Sequence, residues 1–174
     1  HGLILIQTIL KNISLANLDQ FSSWMRIDAD AELHASTRYA KSLAIKTPTL
    51  QAKVDSLSGG NQQKVVISKW LMSTPKVLIM DDPTRGIDVG AKYEIYKLMN
   101  ELTEQGISII MISSELEEIL GMSDRIMVMC EGHSAGTLDI GDATEEKIMA
   151  LATGIATSSA SANPNVSEAI SSLA

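Results

Sequence analysis

Two hydrophobic periods divide the 174 residues. Up to about residue 75 the apolar positions recur at helical spacing. One patch runs through LILIQTILKNISLANL, and a second through DADAELHASTRYAKSLAI up to a break at TPTL, residues 47–50. A third helix follows the double glycine at 59–60. In it Val66, Ile67, Trp70 and Leu71 stand at i, i+1, i+4 and i+5, which predicts one buried stripe.

From 76 to about 152, short continuous apolar runs alternate with helix-spaced segments. VLIMD (77–81) has strand length and is closed by Asp82-Pro83, where proline removes a ladder donor. A helix is predicted from about 89 to 104, with Ala91, Ile95, Leu98, Met99 and Leu102 on one face and Gly106 as its stop signal. ISIIMI (107–112) is the next strand. Ser114 and Glu117 have capping-box spacing for a short helix in ELEEILG. RIMVMC is a third strand, EGH a turn and SAGTLDI its antiparallel return. A last helix opens at Thr144, with Glu145 and Glu146 in its first turn. Continuous apolar strands interleaved with helices predict an α/β fold with a parallel sheet covered on both faces. Three zones follow: a helical subdomain over 1–75, an α/β core half over 76–152, and a small, polar, low-complexity tail over 153–174 that is predicted to be disordered.

Composition narrows the function classes. A net charge of −7 argues against nucleic acid as a partner, which favours a basic face. Cys130 is the single cysteine, so an internal disulfide is excluded and a reducing compartment is the natural one. No apolar run approaches the ~20 residues of a transmembrane helix, and the first ten residues carry neither the basic start nor the cleavage site of a signal peptide. A first residue other than methionine marks the sequence as a fragment in expectation.

Two motifs carry chemistry. LSGGNQQK (57–64) places two glycines at a helix start, where the backbone approaches an anion closely and free N–H groups point at it. VLIMDD sets Asp81 and Asp82 at the carboxyl edge of a parallel strand, where open α/β sheets bind ligands. In phosphoryl-transfer sites such an acid helps to hold Mg²⁺, and a neighbouring one polarises water. Yet GxxxxGK[ST], the loop that ordinarily cradles a nucleotide, does not occur in the sequence.

Taken as a series, LSGG, then an apolar strand ending in DDPT, then Gly86-Ile87-Asp88, resembles the signature, Walker B and D-loop of an ATP-binding cassette domain. LSGGNQQK, DDPTRGIDVGAKYEIYKLMNEL and ISSELEEILGMSDRIMVMCEG resemble one subfamily: the second half of the fused ATPases that energise bacterial ribose, galactose and xylose-type sugar importers. The likeness is specific over 57–152, looser over 2–56, and does not extend to the tail. It implies a partial P-loop NTPase domain with a helical subdomain, lacking the phosphate-loop strand.

The resemblance further implies that Ser58, Gly59 and Gly60 contact an ATP γ-phosphate across a domain interface, with Asn61 and Gln62 beside them. Asp81 would be the Walker B acid near Mg²⁺, and Asp88 would couple the two ATP sites. Asp82 stands where the family carries a catalytic glutamate, and Ser114 where it carries a switch histidine. These departures, with the phosphate loop and magnesium-associated glutamine expected upstream of His1, weaken one composite site and leave the signature intact for the other. The implied partners are a first ATPase domain or a second copy, membrane permease subunits and, indirectly, a periplasmic sugar-binding protein. The place implied is the cytoplasmic side of the inner membrane, peripherally. Two other readings carry the same motifs: a soluble cassette ATPase of DNA maintenance or translation, and a non-catalytic truncated module. PTRGIDVGAK with the serine switch, and the lack of a long coiled coil or basic patch, argue against the first.

Overall fold

The computed structural model describes residues 2–23 and 26–154. The chain forms two compact units, 1–112 and 113–174. The change from helical to alternating pattern expected at 75/76 therefore falls inside the first unit. Most of the expected tail, 155–174, lies outside the described residues. Thr153 and Gly154 close the last helix, Gly154 at φ +70°.

In the first unit, Thr8 caps a short helix α1 (Ile9–Ser14), its hydroxyl accepting from the Lys11 N–H. The apolar patch that reads as one helix gives α1 followed by a 3₁₀ segment, Leu15–Phe21, broken at Asn17. A two-residue antiparallel pair, β1 (Ser22–Ser23) and β2 (Arg26–Ile27), leads to α2 (Ala29–Ser42). Asp28 caps α2 by accepting from the Asp30 and Ala31 N–H groups. Helix α3 (Gly59–Leu71) runs into β3 (Val77–Asp81), and α4 (Val89–Glu104) crosses over to β4 (Ser108–Ile112), which lies parallel to β3. Ile9, Ile13, Val54, Val65 and Ile95 are fully enclosed and form the centre of the core. Each such side chain contributes roughly 1.5–3 kcal/mol by leaving water.

Two expectations change here. The predicted stripe on α3 is displaced: Val65, Ile67, Ser68 and Leu71 are buried, whereas Trp70 is 48% exposed. Helix α3 packs against α1, α2, α4 and the 3₁₀ segment, so it is buried on several sides and a single stripe does not describe it. The parallel sheet is covered on one face, not both. Successive strand residues point to opposite faces. Leu78 and Met80 are buried, while Val77, Ile79, Ile110 and Ile112 are each more than half exposed among the described residues.

In the second unit, α5 (Leu116–Met122) precedes an antiparallel hairpin of β5 (Arg125–Cys130) and β6 (His133–Asp139). The turn is made by Glu131 and Gly132, both at positive φ, the backbone that suits the twist of a tight hairpin. Helix α6 (Glu145–Ala152) is capped by Thr144. Ile126, Val128 and Ile148 form a core flanked by Leu116, Ile119, Leu120, Leu138 and Leu151. The expected capping box of Ser114 with Glu117 does not form: the N-cap of α5 is Glu115, and no side-chain bond caps the helix. Ser113, not Ser114, accepts from the Glu115 N–H and donates to the Glu118 carboxylate. Glu118 is buried and within reach, whereas Glu117 is exposed.

Candidate phosphate-facing site

Helix α3 begins at Gly59 with Ser58 as its N-cap, and the Gln62 N–H donating to the Ser58 carbonyl is the first intrahelical bond. The amides of Gly59, Gly60 and Asn61 therefore stand ahead of the hydrogen-bonded ladder, where the partial positive charge of a helix is concentrated. The Ser58 hydroxyl does not cap the helix. Its oxygen accepts from Asn61 Nδ2 at 2.9 Å, which leaves the hydroxyl proton to donate outward. Asn61 is itself fixed, since its Oδ1 accepts from the Lys46 N–H at 2.7 Å. Gln62 turns away from the helix start, its Nε2 donating to the carbonyls of Leu57 at 3.1 Å and Val54 at 3.3 Å. Three amides and one hydroxyl at a helix start are the donor set that an anionic phosphate takes.

The two glycines are set by α4 and the loop before it. A Cβ at Gly60 would fall 2.6 Å from the Ala91 Cβ, and one at Gly59 would fall 3.1 Å from Ile87 Cγ2. The helix start is thus seated on the 86–91 segment, closely enough at Gly60 that a side chain there would force a shift. Asp88 caps α4, accepting from the Ala91 N–H at 2.9 Å. In this way the start of α3, with Gly60 buried in the contact, packs against the segment that Asp88 caps.

Asp81 ends β3 with an exposed side chain. Asp82 adopts φ +44° and donates its N–H to the Ile112 carbonyl at 2.8 Å. Its carboxylate stands 3.5 Å from Arg85 Nη1. Pro83 and Thr84 are buried behind it and carry the chain toward Asp88. Asp81 is a hard oxygen donor, and no group of three or more metal-ligating side chains occurs among the described residues. One carboxylate suits Mg²⁺, which keeps several waters and takes its remaining ligands from nucleotide phosphates. Ser114 belongs to the second unit and is exposed.

The motif spacing does not show what ties α3 to its surroundings. The Glu94 carboxylate accepts from Lys64 Nζ at 2.8 Å and from Lys46 Nζ at 3.3 Å. The Lys64 hydrogen bond first, then that from Lys46, together with their charges, holds the Glu94 carboxyl below its usual range. The three residues lie 18 to 48 positions apart, so no local pattern signals them.

Sheet, crossover helix and glycine-seated helix start define a class, part of an ATP-binding cassette ATPase of the P-loop NTPase fold. The pattern of the family described as ABC transporter matches residues 5–85. The chain is also similar to sugar-import ATP-binding proteins. It is 59% identical over 154 residues to the ribose import ATP-binding protein RbsA of Oceanobacillus iheyensis, covering 88% of this chain and 31% of that protein. Identity is 56% over 154 residues to the xylose import ATP-binding protein XylG of Geobacillus kaustophilus, with the same coverage. It is 53% over 153 residues to the L-arabinose transport ATP-binding protein AraG of Geobacillus stearothermophilus, covering 88% and 30%. The chain thus spans under a third of the length of these relatives. Among solved structures, a nucleotide-free ATP-binding cassette from an ABC transporter superposes with a TM-score of 0.68 at 24% identity, covering 84% of this chain and 59% of that one. A dimeric cassette in a post-hydrolysis state bound to ADP and Pi gives 0.66 at 21%, covering 80% and 59%. Both likenesses concern the fold.

Proposed function

We propose that this chain is the signature-bearing segment of the ATP-binding subunit of a bacterial carbohydrate importer, and that it completes an ATP site whose phosphate loop belongs to a partner ATPase domain or a second copy. The observation that carries this is the helix start at Ser58–Asn61. It offers three amides and a hydroxyl to an anion. Ser58, Gly59 and Gly60 meet the γ-phosphate when the domains close, and Asp88 carries the state of one site to the other. Asp81 would hold Mg²⁺, which supplies charge neutralisation at the phosphates when bound. Asp82 and Ser114 mark the weaker of two composite sites: a carboxylate one methylene shorter than glutamate, and a hydroxyl in place of an imidazole. A misplacement of ~1 Å in such a group costs ~10²-fold in rate. The closing motion passes to membrane permease subunits, fed in turn by a periplasmic sugar-binding protein. The segment works peripherally at the cytoplasmic face of the inner membrane. None of the described helices is long and apolar enough to cross a membrane.

Sugar uptake and ATP hydrolysis by the reconstituted importer test the proposal. Ser58→Arg or Gly59→Asp abolishes transport while nucleotide binding at the partner domain persists, and Asp82→Asn has a smaller effect. The isolated chain shows no ATP turnover above background. Clear turnover by the isolated chain, or an Asp82→Asn defect equal to that of Ser58→Arg, overturns the assignment of the two sites.

A further inference from the structure

We infer that Glu94 is a positioning residue for the signature segment, holding Ser58 and Asn61 in their anion-facing arrangement through Lys64 and Lys46. The inference rests on the role of Ser58–Gly60 proposed above, and it is carried by two connected paths.

The first path is direct. Lys64 lies inside α3, and its side chain is only 7% exposed. Its ammonium has the Ala44 carbonyl at 3.4 Å and the Glu94 carboxylate at 2.8 Å. A desolvated ammonium held this way is costly to strip of its counter-charge. Glu94 stands three residues after Ala91, on the same face of α4. Helix α4 therefore grips α3 at two successive points, by a methyl against Gly60 and by a carboxylate on Lys64.

The second path runs through the loop. The Lys46 ammonium reaches the other oxygen of Glu94, while the Lys46 backbone N–H donates to Asn61 Oδ1. That bond decides which way the Asn61 carboxamide faces. With Oδ1 occupied, Nδ2 donates to Ser58 Oγ, and the serine proton turns outward. The Lys46–Glu94 pair is itself well exposed, 74% and 45%, and such pairs contribute little stability on their own. Its effect is orientational, because it restrains the loop that fixes Asn61.

Glu94→Gln keeps the size and an acceptor oxygen but removes the charge. In nuclear magnetic resonance spectra of the 174-residue chain, it shifts the backbone amides of Lys46, Gly59, Gly60 and Asn61 and the Asn61 side-chain amide, while signals of the 125–139 hairpin stay in place. In the reconstituted importer it lowers the kcat for ATP by about tenfold or more with KM within about twofold, since the nucleotide is held by the partner's phosphate loop. Lys46→Gln, at an exposed site where folding is not at stake, shifts the same Asn61 signals and lowers kcat less. Unchanged Gly59, Gly60 and Asn61 signals in both variants overturn the inference. So does an unchanged kcat for Glu94→Gln in a system where Ser58→Arg is inactive. If Ser58→Arg retains full turnover, the proposed function fails, and the resonance shifts decide separately whether Glu94 orients the segment.

Discussion

Gly60→Ala is the sharpest test of how the signature start is seated. The added methyl would stand 2.6 Å from the Ala91 Cβ, whereas carbon atoms prefer about 3.5–4.0 Å. Neither methyl has a rotatable bond that relieves the clash, so α3 and α4 must separate by about 1 Å along that contact. Overpacking of this kind costs about 1–3 kcal/mol, and the better helix propensity of alanine offsets at most about 1 kcal/mol. The expected net loss is about 1–2 kcal/mol, measured as a lowered urea midpoint with unchanged m-value. Ala91→Gly supplies the control. With Ala91 Cβ removed, the nearest atom to the new methyl is Ala91 Cα at 3.7 Å, an ordinary contact. Ala91→Gly alone loses about 1 kcal/mol through helix propensity, yet in the Gly60→Ala background it should restore stability, giving a coupling energy of about 1–3 kcal/mol. A Gly60→Ala variant with wild-type midpoint, or additivity of the two changes, refutes the seating.

Three further outcomes are expected. Asp88→Ala removes the cap of α4 and lowers stability by about 1 kcal/mol, seen as faster amide exchange at residues 89–92. The hydroxyls of Ser36 and Ser68 are buried with no hydrogen-bond partner among the described residues. An orphaned polar group costs about 1–3 kcal/mol, so Ser36→Ala and Ser68→Ala should each raise the urea midpoint, and a lowered midpoint in both counts against the packing described. Glu94 is depressed by its lysines, so its stabilising contribution is complete above the ordinary carboxylate range near 4.5 and is lost as pH falls through the lower folded value. Urea midpoints measured from pH 6 down to 3 should fall less steeply for Glu94→Gln than for the wild type.

Local signals with a physical stop were legible in the sequence. Gly106 stops α4, and of its predicted inward residues Ile95, Leu98, Met99 and Leu102 are buried while Ala91 is half-buried. The hairpin was equally legible, because its turn residues interrupt two strand-length runs. What escaped the sequence depends on partners distant along the chain. The period of α3 fails as a guide because neighbours enclose it on several sides. The Lys46–Glu94–Lys64 cluster depends on three segments meeting. Ser114 alone has capping-box spacing to a glutamate, yet Ser113 makes the pair, with Glu118 five residues on, because Glu118 is buried and Glu117 is exposed. Of the site, the helix start after Ser58 was legible in the double glycine, but its seating on Ala91 and its tether to Glu94 were not visible.

The uncovered face of the β3–β4 pair has a consequence for how the chain behaves in solution. Val77, Ile79, Ile110 and Ile112 form an apolar strip, with Ile79 and Ile110 directly paired, on a molecule of net charge −7. At low ionic strength, mutual repulsion keeps such strips apart, but at 0.1 M salt charges are screened beyond about 10 Å. Added salt should therefore drive reversible self-association of this chain, and dilution into low-salt buffer should reverse it.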